Sequence, residues 1–350
     1  MNHHSWPQTI RIILFSCLIG GAAGVLGTAW TTSSLSQYAV ELGEVTETLR
    51  LSQPRPRTLP QSYADALDRL ESRALPAVGL LFESQQVGKF GVSVFEAKAS
   101  TVALTSDGWM LSREGSLGDK VSIGSQTCEI NTTVEEPRLG WVFLHCDASN
   151  IPVMDIVGAY DISAGASLFV VENGRGIVFT QARAVVWNSD NGSSDVASRR
   201  IMLPDGADAE DGALVFNVYG ELVGVVEQVD TQARVVPFEH LAGSFEQVLQ
   251  STQTIVYPAL GVVGIDIAHT VGLPDTLTQG RHAGFVVTQT VSTQIEIGDV
   301  IFSIEGISID AKMSLDDLVA QYAPEDEIQV DIDRAGAQQT ITVTLGELEL

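Results

Sequence analysis

Asp208-Ala209-Glu210-Asp211-Gly212-Ala213-Leu214-Val215, followed by Asn217-Val218-Tyr219-Gly220-Glu221-Leu222-Val223-Gly224-Val225, is the stretch that decides the fold. Its apolar runs, Ala213–Phe216 and Leu222–Glu227, flank a tight Gly-containing turn, which predicts a β-hairpin. Outward from this hairpin, the chain between Pro76 and about residue 247 is a series of short apolar runs punctuated by Gly, Asn and Asp. Examples are Ala77–Phe82, Ser100–Thr105, Trp109–Leu111, Trp141–Cys146, Ser167–Glu172, Gly176–Phe179 and Ala182–Trp187. Many short strands at this spacing predict a β-barrel or sandwich, not a parallel sheet with helices. A short helix over Tyr63–Arg73, ended by Pro76, precedes the series, and a helix over Glu239–Leu249 closes it.

The chain has 350 residues, enough for two or three domains, and 45% are hydrophobic, enough to bury real cores. The net charge of −25 argues against a nucleic-acid partner, because phosphate binding needs a basic surface. Solubility accounts for the acidity. Ile12–Trp30 is uncharged and almost wholly apolar or small, with Arg11 before it and no basic residue until Arg50. At 1.5 Å per residue that run is about a hydrocarbon thickness long. The reading is an uncleaved single-pass anchor with a cytoplasmic N-terminus and everything beyond it extracytoplasmic; a cleaved signal peptide is the competing reading. Residues 33–60 are polar and close on Pro54, Pro56 and Pro60, as a linker does. Three cysteines make neither a disulfide framework nor a zinc site. Cys128 and Cys146 flank a turn between two predicted strands, so they read either as two small buried hydrophobes or as a disulfide, which needs an oxidising compartment.

The Asp208–Val225 stretch resembles the nucleophile loop of the chymotrypsin-like proteases of the HtrA (Deg) family, Gly-Asn-Ser-Gly-Gly-Pro-Leu-Val, with Glu210 at the serine position. The resemblance continues in order along the chain. Ser100–Ser112 is similar to the strand pair before the family's Asn-x-His-Val, and Gly115 stands at the His position. Glu136–Leu144 is similar to Asp-Pro-x-Thr-Asp-Leu-Ala-Val-Leu, and Gly140 stands at the Asp position. Serine acyl transfer needs a hydroxyl, an imidazole and an orienting carboxylate, so the resemblance implies a degenerate triad at Gly115, Gly140 and Glu210. His145, His240 and Ser193-Ser194-Asp195 offer no replacement: the histidines read as structural or surface residues and the serines as a solvated turn. Asp205, Asp208, Glu210 and Asp211 lack the EF-hand spacing for calcium, and a solvated acidic loop explains them. No metal site and no cofactor is expected.

Residues 258–350 resemble the PDZ domains that follow HtrA protease domains. Gly298-Asp299-Val300-Ile301-Phe302-Ser303-Ile304-Glu305-Gly306 is close to the family's Gly-Asp-Val-Ile-x-x-Ile-Asn-Gly, and Leu315–Tyr322 reads as the groove helix. The resemblance implies that a peptide adds as a strand along Val262, Val263, Gly264 and Ile265, with its terminal carboxylate on N–H groups of the Leu260, Gly261 and Val262 loop. Leu315 and Val319 would line the pocket for its last side chain. A groove that only packs against its own barrel or a sister subunit is the competing reading.

The expected architecture is therefore mainly β. It comprises an N-terminal membrane segment (1–32), a linker (33–60), a chymotrypsin-like double β-barrel (61–250) and a PDZ domain (254–350). The expected function is a pseudoprotease that binds free C-termini or unfolded segments in envelope protein quality control or sensing. An active endopeptidase with rebuilt catalytic groups is the runner-up. A regulatory subunit of an active paralogue, in a homo- or hetero-trimer of the kind common in the family, is the third reading.

Overall fold

The computed structural model describes residues 58–84, 93–113, 118–156, 161–172, 176–187, 192–207, 209–250 and 254–348. The predicted anchor at Ile12–Trp30, most of the linker, Gly115 and Asp208 lie outside the described residues. Among the described residues no helix is long and apolar enough to cross a membrane.

The chain enters through helix α1 (Tyr63–Arg69), capped by the Ser62 side chain, which accepts from Asp65 N–H. Pro76 allows no longer α-helix, and the predicted segment instead widens into a π turn, Leu70–Ala74, and then tightens into a 3-10 turn, Leu75–Ala77. Six antiparallel strands then close a barrel: β1 (Val78–Phe82), β2 (Ala99–Ala103), β3 (Trp109–Arg113), β4 (Lys120–Ile123), β5 (Gln126–Glu136) and β6 (Trp141–Cys146), in the order β1-β2-β3-β6-β5-β4. Closure leaves no edge to pair elsewhere. The apolar runs fill its interior, with Val102, Leu111, Trp141 and Phe143 without solvent exposure. Burying side chains of this size contributes about 1.5–3 kcal/mol each. Of the two readings of Cys128 and Cys146, the structure takes the disulfide, with Cα atoms 5.9 Å apart on neighbouring strands.

The second half forms an open seven-stranded sheet, where a second closed barrel is expected. Its strands are β7 (Ser167–Glu172), β8 (Gly176–Gln181), β9 (Ala184–Trp187), β10 (Arg199–Met202), β11 (Leu214–Asn217), β12 (Leu222–Val229) and β13 (Gln232–Pro237), in the order β8-β7-β11-β12-β13-β10-β9. The predicted hairpin is β11–β12, paired Leu214 to Val225. Helix α2 (Glu239–Leu249) follows, on its predicted bounds.

The C-terminal unit is a separate sheet. After β14 (Pro258–Ala259) come β15 (Val262–Asp266), helix α3 (Asp275–Thr278), β16 (Phe285–Thr290), β17 (Val300–Ile304), β18 (Ile307–Ser308), helix α4 (Leu315–Val319), β19 (Glu327–Arg334), β20 (Ala337–Thr344) and β21 (Gly346–Glu347). The main sheet runs β15-β16-β17-β19-β20, which leaves β15 at an edge, while β14 pairs with β21. Leu260, Val262, Ile301, Ile304, Leu315, Val319 and Ile332 share one buried core. A closed barrel, an open sheet and a further sheet thus follow one another along the chain.

Candidate functional site

The loop after Ala207 turns back at Gly212, whose φ is +85°, so that its N–H donates to Val226 O at 2.9 Å. A Cβ at Gly212 would stand 3.0 Å from the Arg113 Cβ, so this turn lies directly against the end of β3. From there Arg113 reaches both neighbouring turns. Its Nε donates to Asp211 Oδ2 at 3.0 Å, its Nη1 donates to Leu139 O, and its guanidinium lies 4.9 Å over the Trp141 ring. Asp211 also accepts from Gln228 N–H at 2.9 Å. The structure thus brings the neighbours of Gly140 and Glu210 together on one cation, two residues before Gly115. Gly140 sits in its turn at φ 67°, and Glu210 is half-buried with its carbonyl accepting from Ala213 N–H at 3.1 Å.

No imidazole stands at this cation among the described residues. Antiparallel pairing sets Arg113 opposite Trp141, and sets His145 opposite Trp109 at the far end of the same ladder. Four residues of strand separate them, about 13 Å. His145 Nδ1 contacts Asn131 Oδ1 at 3.0 Å instead. The acidic loop is shared between cations as well: Asp205 pairs with Arg183, and Asp211 with Arg113. Among the described residues no group of three His, Cys, Asp or Glu could hold a metal ion.

A second site lies at the edge of β15. The expected groove residues Val262, Val263, Gly264 and Ile265 form this edge, and Leu315 and Val319 are buried in the core beside it. The edge is covered by the chain itself. Ser193 pairs antiparallel with Val263; Gly264 N–H donates to Gly192 O at 2.8 Å, and Ser194 N–H to Val262 O at 3.0 Å. The Asp195 Oδ1 accepts Leu260 N–H at 2.8 Å and Gly261 N–H at 3.2 Å. Ser194 is buried, so the expected turn at Ser193-Ser194-Asp195 is present but not solvated: Ser193 bridges to β15 and the turn packs against it. The polar composition misled because strand addition uses backbone groups that every residue carries.

Helix α4 is tied down by a polar network that sequence reasoning missed. Ser198 donates from N–H and Oγ to Asp316 Oδ2, each at 2.7 Å. Arg199 pairs with Glu239 and, at 3.4 Å, with Asp317; His240 Nε2 stands 3.1 Å from Asp317 Oδ1. Burial raises the Asp317 carboxyl, but the Arg199 charge and the His240 bond outweigh it and hold it below the usual range. Burial, then the Asp317 charge, pushes Asp316 up to about 6. Burial pushes His240 down to about 4 against the pull of Asp317. The only sequence-level signal was the Arg199-Arg200 pair in a chain with 19 basic residues against 44 acidic ones. Along the groove, a cavity of about 410 Å³ opens beside Ile265 and Val196, walled by Trp187 stacked 4.0 Å from His269.

No protein-family profile matches the chain. Two curated proteins named "Probable periplasmic serine endoprotease DegP-like" are similar to it. The one from Ectopseudomonas mendocina (strain ymp) is 29% identical over 39% of this chain and 31% of that protein. The one from Pseudomonas fulva (strain 12-X) is 22% identical over 85% of this chain and 64% of that protein. The chain therefore spans between about a third and two thirds of the length of these relatives. Among solved structures, "HtrA-type protease AlgW with tripeptide" is similar at a TM-score of 0.49, with 21% identity over 83% of this chain and 98% of that one. "Crystal structure of the serine endoprotease from Yersinia pestis" is similar at a TM-score of 0.41, with 19% identity over 83% of this chain and 100% of that one.

Proposed function

We propose that this chain is a homologue of the HtrA/DegP-type serine endoproteases it resembles, one that has given up proteolysis and kept peptide recognition. It binds peptide or unfolded protein segments with free C-termini through the edge of β15, outside the cytoplasmic membrane, anchored by the Ile12–Trp30 segment. The observation that carries this reading is the Asp195 carboxylate held by the Leu260 and Gly261 N–H groups at the start of the edge strand β15. Backbone N–H pairs of this kind recognise a terminal carboxylate, while the strand edge supplies a ladder indifferent to sequence.

The loss of chemistry rests on the Arg113 network. Glu210 offers a carboxylate in place of a hydroxyl, Gly140 offers no side chain, and Arg113 cross-links the loops that would have to hold a nucleophile and the orienting carboxylate. The extracytoplasmic placement is supported by the Cys128–Cys146 bridge, which persists in oxidising compartments, and by the names of the relatives, which call them periplasmic.

Two assays on the full chain test the proposal. Incubation with an unfolded fluorogenic protein substrate is expected to give no cleavage, in wild type and Glu210→Ala alike. Cleavage by the wild type that Glu210→Ala abolishes would establish an active endopeptidase with rebuilt groups, the second reading that the names of the relatives favour. A fluorescent peptide with a free C-terminus is expected to bind, and its C-terminal amide is not.

A further inference from the structure

The stretch Gly192–Asp195, ahead of β10, sits on β15 as a ligand would. It runs antiparallel to the strand, and the Ser193–Val263 pair is flanked by Gly264 N–H to Gly192 O and Ser194 N–H to Val262 O. These two bonds flank the pair without joining it, so Ser193 and Val263 form a non-hydrogen-bonded pair, the kind whose side chains approach closest. The segment ends where a terminal carboxylate would, with the Asp195 side chain on the Leu260 and Gly261 N–H groups. Val262 N–H donates to Ser194 Oγ at 3.3 Å, completing the run of N–H groups the loop offers. Gly192 is at φ +49°, and a Cβ there would lie 1.9 Å from Gly264 O, so only glycine permits the approach. Arg138 fixes the far end, its Nη1 donating to Asp195 O at 3.0 Å while it lies 4.5 Å over the Tyr257 ring.

We infer that Gly192–Asp195 is a built-in mimic of a C-terminal peptide, which occupies the carboxylate groove in cis and must leave before a partner's C-terminus can enter. The inference rests on the peptide-binding reading of β15 above and adds its regulation and ligand class. The competing ligand is a chain end with a free α-carboxylate, small at the residue that faces Gly264, because the backbones meet there without room for a Cβ on the cis segment. A carboxylate on a side chain and one on a terminus use the same two N–H groups, so the two occupants exclude each other. Apparent affinity for the trans ligand is then reduced by the fraction of molecules whose groove is open.

The test uses the full chain and a fluorescein-labelled peptide ending in Gly-Ser-Ser-Val with a free carboxylate, beside its C-terminal amide. Asp195→Ala removes the side-chain carboxylate and is expected to bind the free acid about tenfold tighter or better than wild type. Ser193→Cys combined with Val263→Cys locks the segment onto the strand. The oxidised form is expected to lose binding, and the reduced form to regain wild-type affinity. Hydrogen exchange at Gly264 N–H, which the segment covers, is expected to accelerate in Asp195→Ala. Equal affinity in wild type, Asp195→Ala and the oxidised lock overturns the inference and leaves peptide binding standing. No binding by any form, with accelerated exchange in Asp195→Ala, overturns the peptide-binding reading and the inference with it. Unchanged exchange in Asp195→Ala also overturns the inference, since the carboxylate would not be what holds the segment.

Discussion

The groove helix carries two opposed proton equilibria, and their cancellation can be broken one side at a time. His240 on α2 faces Asp317 of α4, Arg199 and Arg200 of β10, and its own neighbour Glu239; Asp316 faces Asp317 and the Ser198 donors. In the unfolded chain the imidazole takes its proton near 6.5, but in the fold it resists until about 4. Between those values the unfolded chain binds more protons, so stability falls as pH falls, by about 3 kcal/mol over the window. Asp316 does the reverse. The folded chain protonates it near 6 and the unfolded chain near 3.8, so its contribution to stability grows by about 3 kcal/mol as pH falls. The wild type should therefore be nearly flat from this network between about pH 6 and pH 4. Urea unfolding of wild type, His240→Gln and Asp316→Asn at pH 7, 6, 5 and 4 reads the difference from wild type, in which the other carboxylates cancel. His240→Gln should gain on wild type toward pH 4, by about 3 kcal/mol relative to its difference at pH 7. Asp316→Asn, which keeps an acceptor for Ser198, should lose by a similar amount. Differences that do not change with pH, or that move the same way in both variants, would refute the opposed titrations.

The bridge between Cys128 and Cys146 closes a separation of 18 residues, worth about 3 kcal/mol through the unfolded chain. Cys128→Ser with Cys146→Ser should lower the thermal midpoint by ~6 °C in calorimetry, and an unchanged midpoint would count against the bridge. Arg199→Ala leaves the Glu239 and Asp317 carboxylates buried without their cation, at a cost of about 3–5 kcal/mol in urea unfolding. A cost below ~1 kcal/mol would mean that water already screens them.

Much of the body was legible because its elements bury apolar runs. Trp141–Cys146, Ser167–Glu172 and Glu239–Leu249 take their predicted bounds, and the hairpin at Leu214–Val229 forms where its turn residues put it. Strand β10 was not legible: Arg199 and Arg200 open it, and Arg199 is buried by pairing, which periodicity does not register. The groove helix is shorter than predicted, Leu315–Val319 against Leu315–Tyr322, with Asp316 and Asp317 turned into a buried network no hydropathy pattern would place there. At the candidate sites the sequence pointed to Gly140 and Glu210. It did not show the cation beside them, because Arg113 reaches Leu139 and Asp211 across the fold, 26 and 98 positions away in sequence.

The buried ties on α4 bear on how the C-terminal unit can be studied. Cut at the predicted boundary, residues 254–350 would lose Arg199, His240 and Ser198, the groups that compensate Asp316 and Asp317. They would also lose Gly192–Asp195, so the excised fragment would offer a vacant groove beside two acids stripped of those partners, with Ser314 alone still donating to Asp317. Its peptide affinity would overstate that of the parent chain while its fold would be weaker, a disagreement that side-by-side titrations would expose. The excised unit is thus a different molecule from the one embedded in the chain: more open, more acidic and less stable.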